Sequence, residues 1–159
     1  MSDSTIHRDN ALAILKARIG QPETPSEWFE ITQDRIDAYA EVSMDHQWIH
    51  VDVARARSGP FGTPIAHGNL TLAVMDHLPR VVDDGLPPLE GHRLSINYGY
   101  DRIRFPSPVK VGARIRSTNT LVRAEVKGDM IETATEIRVD IEGGDKPALV
   151  AEKLRRLVF

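Results

Sequence analysis

Between Val111 and Phe159 the chain carries three long stretches of alternating side chains divided by two glycine turns, and this pattern limits the possible folds most. Ile131, Thr133, Thr135, Ile137, Val139 and Ile141 alternate without a break, the period of a strand with one face buried. In 111–124, Val111, Ala113, Ile115 and Leu121 share one parity, and 148–159 reads as a last strand. Lys127-Gly128-Asp129 and Gly143-Gly144-Asp145 are turn signals, so these strands are expected to be antiparallel neighbours. Two more strand segments, 94–100 and 102–105, come before Pro106 and Pro108. Such a sheet needs one face covered. The segment 68–78 supplies the cover: Leu70, Leu72, Ala73, Val74, Met75 and Leu78 make it apolar almost all round, as in a buried helix, and Pro79 stops it. The expected class is α+β, a curved antiparallel sheet wrapped around one buried helix.

The first half supplies helices for the same face. Leu12, Ile14, Leu15 and Ile19 give 9–19 an approximate helical stripe that Gly20 ends. Residues 21–26 read as a loop and Trp28 to Ile31 as a short strand. Thr32 is an expected N-cap with Asp34 in the first turn, where a carboxylate favours the helix dipole. Ile36, Tyr39, Ala40 and Ser43 carry that helix to about Met44 and leave Asp45 at its C-terminal end, a poor place for a negative charge. Residues 44–52 read as a loop, 52–63 as a loop or short helical turn, and 83–88 as a turn-rich link. At 159 residues the chain is expected to form a single domain, 1–27 being an N-terminal helix and lead-in and 28–159 the core.

Composition narrows the function. The chain is 41% apolar and 27% charged, with a net charge of −3, which predicts no nucleic-acid surface and no membrane patch. It contains no cysteine, so no disulfide framework or thiol nucleophile is available. The apolar stretches are shorter than a membrane span, and the N-terminal run to Leu15 lacks the form of a signal peptide. A cytoplasmic location is the expectation.

The chemistry gathers in Met44-Asp45-His46-Gln47-Trp48-Ile49-His50-Val51-Asp52. A carboxylate and an imidazole five residues apart can hold one water between them and move its protons, a contribution of roughly 10²–10⁴ in rate. The same spacing also fits a helix-ending Asp beside an unrelated loop His. His46, His50, Asp52 and His67 have metal-ligand chemistry, but the helix is not expected to continue past Trp48, so no metal is expected. His46 is expected to face solvent and Asp52 to bond a turn. Gly68 opens the buried helix, where backbone N–H groups lack internal acceptors; it fits an oxyanion hole or a tightly packed turn equally well. Arg102 and Arg104 share a strand face and suit phosphates or plain solvation. Asn97 and Gly99 fit a place where another backbone comes close.

These residues, in this order, carry a resemblance. Ile31-Thr32-Gln33, Tyr39-Ala40, Asp45 through Asp52, Pro64-Ile65-Ala66-His67-Gly68, Ile96-Asn97-Tyr98-Gly99 and Arg102-Ile103-Arg104-Phe105-Pro106-Ser107-Pro108-Val109 resemble the MaoC-like (R)-specific enoyl-CoA hydratase/dehydratase family, nearest its nodulation protein N-like branch. The resemblance covers nearly all of 28–158. It implies a hot-dog fold and a homodimer with sites near the subunit interface. The implied reaction is reversible syn addition of water to a trans-2-enoyl thioester of CoA or acyl carrier protein. It implies Asp45 and His50 as the catalytic pair, Gly68 as the oxyanion donor, and no cofactor, CoA being part of the substrate. Gln47, His67 and Asn97 are expected substrate contacts. The common motif has Gly before the Asp and Asn-Pro before the residue preceding His; here Met44, Gln47 and Trp48 stand there, and Gln47 is expected to replace the Asn. A Ser found two turns into the helix in some relatives is Asp76 here, which needs a partner or an exposed face. Thioester hydrolysis and non-catalytic acyl-CoA binding are the alternative readings.

Overall fold

The computed structural model describes residues 3–78 and 88–159. The expected helix stop at Pro79 and most of the link over 83–88 lie outside them. In chain order the elements are α1 (Asp3–Arg18), β1 (Phe29–Glu30), α2 (Gln33–Ser43), α3 (Trp48–Val51), α4 (Val53–Arg57), α5 (Gly68–Val74) with a following 3-10 turn (Met75–His77), β2 (Leu94–Arg104), β3 (Arg114–Lys127), β4 (Met130–Ile141) and β5 (Leu149–Val158).

The strands form one antiparallel sheet in the order β1-β3-β4-β5-β2. Both glycine turns join neighbours, and Gly128 and Gly143 adopt positive φ there, a conformation open to glycine at little cost. The sheet bends at register shifts in β2, between Asn97 and Gly99 and between Tyr100 and Arg102, and in β3 between Leu121 and Arg123. Extra residues of this kind raise local twist and curve a strand. The two segments expected over 94–105 are therefore one bulged strand.

The concave face carries the core. Ile115, Ile137, Val139, Leu149 and Ala151 pack with Leu70 and Met75 of the α5 segment and with Ile36 of α2. Ile131 and Leu157 share the parity of Ile137 and Ala151, because β4 and β5 pair without a shift. They pack with Ala11, Leu12 and Leu15 of α1, so α1 and α5 cover one face.

Three expectations need correction. Helix α1 starts at Asp3 and ends at Arg18, not 9–19; its first turns are polar and carry no apolar stripe. The stretch 44–52 is not loop throughout, since Trp48–Val51 makes one helical turn. The central helix is not buried all round. Leu70, Thr71, Met75 and Leu78 are buried, while Asn69, Ala73 and His77 are exposed, because the sheet of one chain covers only one side of it. Asp76 finds its partners in β5. It contacts the Lys153 ammonium and accepts from Arg155 Nη2 at 3.0 Å. Burial, then Arg155, pushes Lys153 down to about 8, and the Asp76 carboxylate works against that shift.

Candidate active site

Helix α2 delivers Asp45 through a left-handed residue. Thr32 caps α2 by accepting from the Arg35 amide at 3.4 Å. At the other end Met44 takes φ 60° and ψ 19°, the region that favours glycine. The chain then reverses so that Asp45 faces back toward the start of α5, and Asp45 Oδ1 accepts from the Gln47 amide at 3.3 Å.

One turn of helix delivers His50. The Trp48 ring packs on Gly59 and lies under Arg55, whose guanidinium carbon is 4.4 Å from the ring centroid. That anchors the outer side of α3 and turns His50 inward, where it is 6% exposed. Gln33 donates from Nε2 to the His50 carbonyl at 2.9 Å. The His50 Nδ1 lies 2.7 Å from the Ile65 carbonyl. A carbonyl only accepts, so Nδ1 carries the hydrogen and Nε2 is the bare, basic nitrogen. Burial lowers the His50 pKa from 6.5; the Ile65 bond opposes this, His67 adds to it and Asp45 opposes it. The imidazole is accordingly neutral at pH 7.

The segment 64–66 carries the third part of the site. It is pinned on two sides, Ile65 N–H donating to Ile49 O at 3.1 Å and Ala66 N–H to Val109 O at 2.7 Å. His67 follows, 3% exposed, with Nε2 2.9 Å from the Asp45 carbonyl. Its ring stacks on His50 with centroids 3.7 Å apart and planes at 25°. Gly68 then opens α5. A Cβ at Gly68 would lie 3.2 Å from the Phe105 ring, so glycine is what lets that ring pack close against the start of α5.

Asp45, His50 and His67 thus bring polar side-chain atoms within 4.8 Å of one another. Two hydrogen bonds of about 2.8 Å meeting at a tetrahedral water span about 4.6 Å, so one water fits between Asp45 and His50. A shared cation fits less well. The two imidazoles are stacked, and in-plane lone pairs on near-parallel rings do not converge on one point.

The remaining expected residues are placed as follows. Gln47 is exposed beside Asp45. Asn97 is exposed on β2 opposite Arg155, about 25 Å along the strand from Phe105, and this chain does not bring it to Asp45 and His50. His46 is exposed, 3.7 Å from Glu41. Asp52 caps α4 by accepting from the Arg55 amide at 3.0 Å. Arg102 and Arg104 lie on the opposite face of the sheet, lining a cavity of about 530 Å³ with Glu136, Arg138 and Glu152. The Ile65 carbonyl, the Gln33 amide and the Phe105 ring were not foreseen as parts of the site.

Comparison with known proteins fits this arrangement to a family. The model of the MaoC like domain matches residues 15–142. The chain belongs to the MaoC-like domain family. Among its relatives, 3-hydroxyacyl-thioester dehydratase Z of Mycobacterium tuberculosis is 44% identical over 93% of this chain and 96% of its own. Nodulation protein N of Rhizobium leguminosarum bv. viciae is 40% identical over 94% and 92%. The solved (R)-hydratase from A. caviae involved in PHA biosynthesis superposes with a TM-score of 0.65 at 24% identity, over 86% of this chain and 94% of that one. The curled sheet around α5 is therefore the MaoC-like hot-dog fold. Among the described residues, no helix is long and apolar enough to cross a membrane.

Proposed function

We propose that this MaoC-like protein is an (R)-specific enoyl-thioester hydratase, run in reverse as a 3-hydroxyacyl-thioester dehydratase. The observation that carries the reading is the convergence of the Asp45 carboxylate and the buried His50 imidazole beside the start of α5. The dehydratase name of the 44%-identical relative supports the same substrate class.

The steps follow from the protonation states. The Asp45 carboxylate accepts one O–H of a water, and His50 Nε2 accepts the other. Nε2 takes that proton as the water oxygen bonds to C3 of the trans-2-enoyl thioester. The C2–C3 π pair moves toward the thioester carbonyl, and the Gly68 N–H holds the oxygen that gains charge, a donor worth about 10²–10³ in rate. The His50 imidazolium then returns its proton to C2. Hydrogen and hydroxyl come from one water held on one side of the alkene, so they add to the same face. The balance consumes only water and draws on no metal or redox cofactor; CoA or the acyl carrier arm belongs to the substrate, met in the cytoplasm. Gln47 is poised to touch that substrate beside Asp45.

A homodimer is part of the reading. Among the described residues, strand β2 is an eleven-residue edge bonded on one side only, to β5, and Leu94, Ile96 and Tyr98 on it are exposed. A long edge with apolar side chains is a surface that proteins cover, and a second β2 related by a two-fold axis covers it symmetrically.

The test is a chain-length series of trans-2-enoyl-CoA substrates, following loss of the conjugated enoyl absorbance with chiral analysis of the product. The (R)-3-hydroxyacyl thioester is expected. Release of free CoA thiol without that product would favour hydrolysis, and binding without turnover would favour a carrier or partner role.

A further inference from the structure

We propose that His67 is a positioning residue that locks Asp45 and His50 into one geometry; the proposal rests on the hydratase reading above. Three contacts carry it. The Asp45 carbonyl lies 2.9 Å from His67 Nε2, and since a carbonyl only accepts, Nε2 is the donor. The His67 ring lies flat against the His50 ring, 3.7 Å between centroids. It also meets the Tyr39 ring of α2, 5.0 Å away between centroids and tilted by 53°. The ring therefore touches each half of the catalytic pair and the helix that delivers Asp45. The residue itself is the one before Gly68, so its backbone joins the lock to the oxyanion donor.

Without this ring the two halves have separate supports. His50 is held at its edge by the Ile65 carbonyl and at its backbone by Gln33, both independent of Asp45. Asp45 is exposed, follows a left-handed residue, and is held from its own loop by the Gln47 and Ser43 contacts at 3.3 and 3.4 Å. Among the described residues, the bond from His67 ties the Asp45 backbone to the buried start of α5. The His67 Nδ1 is buried with no hydrogen-bond partner among the described residues, so Nε2 makes the ring's one polar contact there, to the Asp45 carbonyl. His67 touches no reacting atom in this account. It acts through Asp45 and His50.

The test separates the two functions of the ring. In His67→Phe the stacking face remains and the donor is lost; in His67→Gln the amide donor sits near the position of Nε2. With a trans-2-enoyl-CoA substrate, His67→Phe is expected to lower kcat by about 10²-fold, the scale of a misplacement of about 1 Å, with KM changed by less than about threefold. His67→Gln is expected to restore at least about tenfold of that loss. Because His67 acts through Asp45, adding His67→Phe to Asp45→Asn should cost much less than it does alone. A His67→Phe enzyme close to wild type, a Gln variant no better than Phe, or losses that multiply in full with Asp45→Asn would each overturn the proposal. Should the Phe variant fail to fold, His67→Gln against His67→Asn decides: the shorter amide cannot reach the Asp45 carbonyl and should be at least about tenfold slower, and equal rates would overturn it. Wild-type turnover with insensitive His67 variants removes the positioning role and leaves the hydratase reading standing. Absent wild-type turnover removes the hydratase reading itself.

Discussion

At the scale of single residues the site is a set of protonation states fixed by backbone acceptors. The Ile65 carbonyl decides that the basic nitrogen of His50 is Nε2, and burial lowers the pKa of that imidazole below 6.5. In the hydration direction the neutral form is the active one. The acid limb of kcat/KM against pH should therefore fall with a midpoint below 6.5, whereas a limb centred above 6.5 would contradict the assignment. The same shift has a sign for stability: the unfolded chain binds the His50 proton more readily, so this group's contribution is complete above 6.5 and is lost as pH falls toward the lowered folded value. Gly68 offers a second check. The methyl of Gly68→Ala would stand 3.2 Å from the Phe105 ring, so the amide or the ring must shift, and kcat should fall by about tenfold or more with the melting temperature little changed. Asp45 and His50 were legible from residue type, spacing and resemblance. The Ile65 carbonyl was not, because every residue has one and no side chain marks it. Met44 is also explained here. It takes the left-handed conformation that favours glycine, which the residue type alone does not reveal.

At the scale of elements, α3 and α4 form the bracket that aims His50. Trp48 anchors it, and a Cβ on Gly59 would lie only 2.9 Å from the Trp48 ring. Gly59→Ala should thus destabilise the protein by about 1–3 kcal/mol through overpacking, read by urea unfolding, and the smaller ring of Trp48→Phe should recover part of it. An unchanged midpoint in Gly59→Ala would show that the ring is free to move. The strands were legible because a period of two repeats many times over 130–141. The turn 48–51 was not, since four residues are too few to display a helical period. The central segment was read correctly as a helix but not as a half-exposed one. Ala73 is apolar and small and so says little about which way it faces, and the coverage of α5 is decided by strands more than 30 residues distant.

For the whole molecule, the local turns accounted for β3-β4-β5, while the pairing of β2 with β5 joins segments some 50 residues apart that no turn connects. The expectation of helices on one face held, because the apolar stripes of α1 and α5 have only that face to cover. The unpaired side of β2 carries the molecule-level prediction. Sedimentation at micromolar concentration should give a species of twice the chain mass. Ile96→Lys, which charges an exposed apolar edge, should shift it toward the monomer. A wild-type monomer would leave the edge to some other cover.

The most direct measurement of the central claim compares wild type, Asp45→Asn and His50→Ala in one assay, the loss of conjugated absorbance of a trans-2-enoyl-CoA that the wild type hydrates, with thermal melts alongside. Both side chains meet within 4.8 Å at the site. If they share the reacting water, each variant should keep the fold and lose about 10²–10⁴ in kcat, and the double variant should be scarcely slower than the worse single one. A folded variant of either residue that hydrates at the wild-type rate would contradict the account.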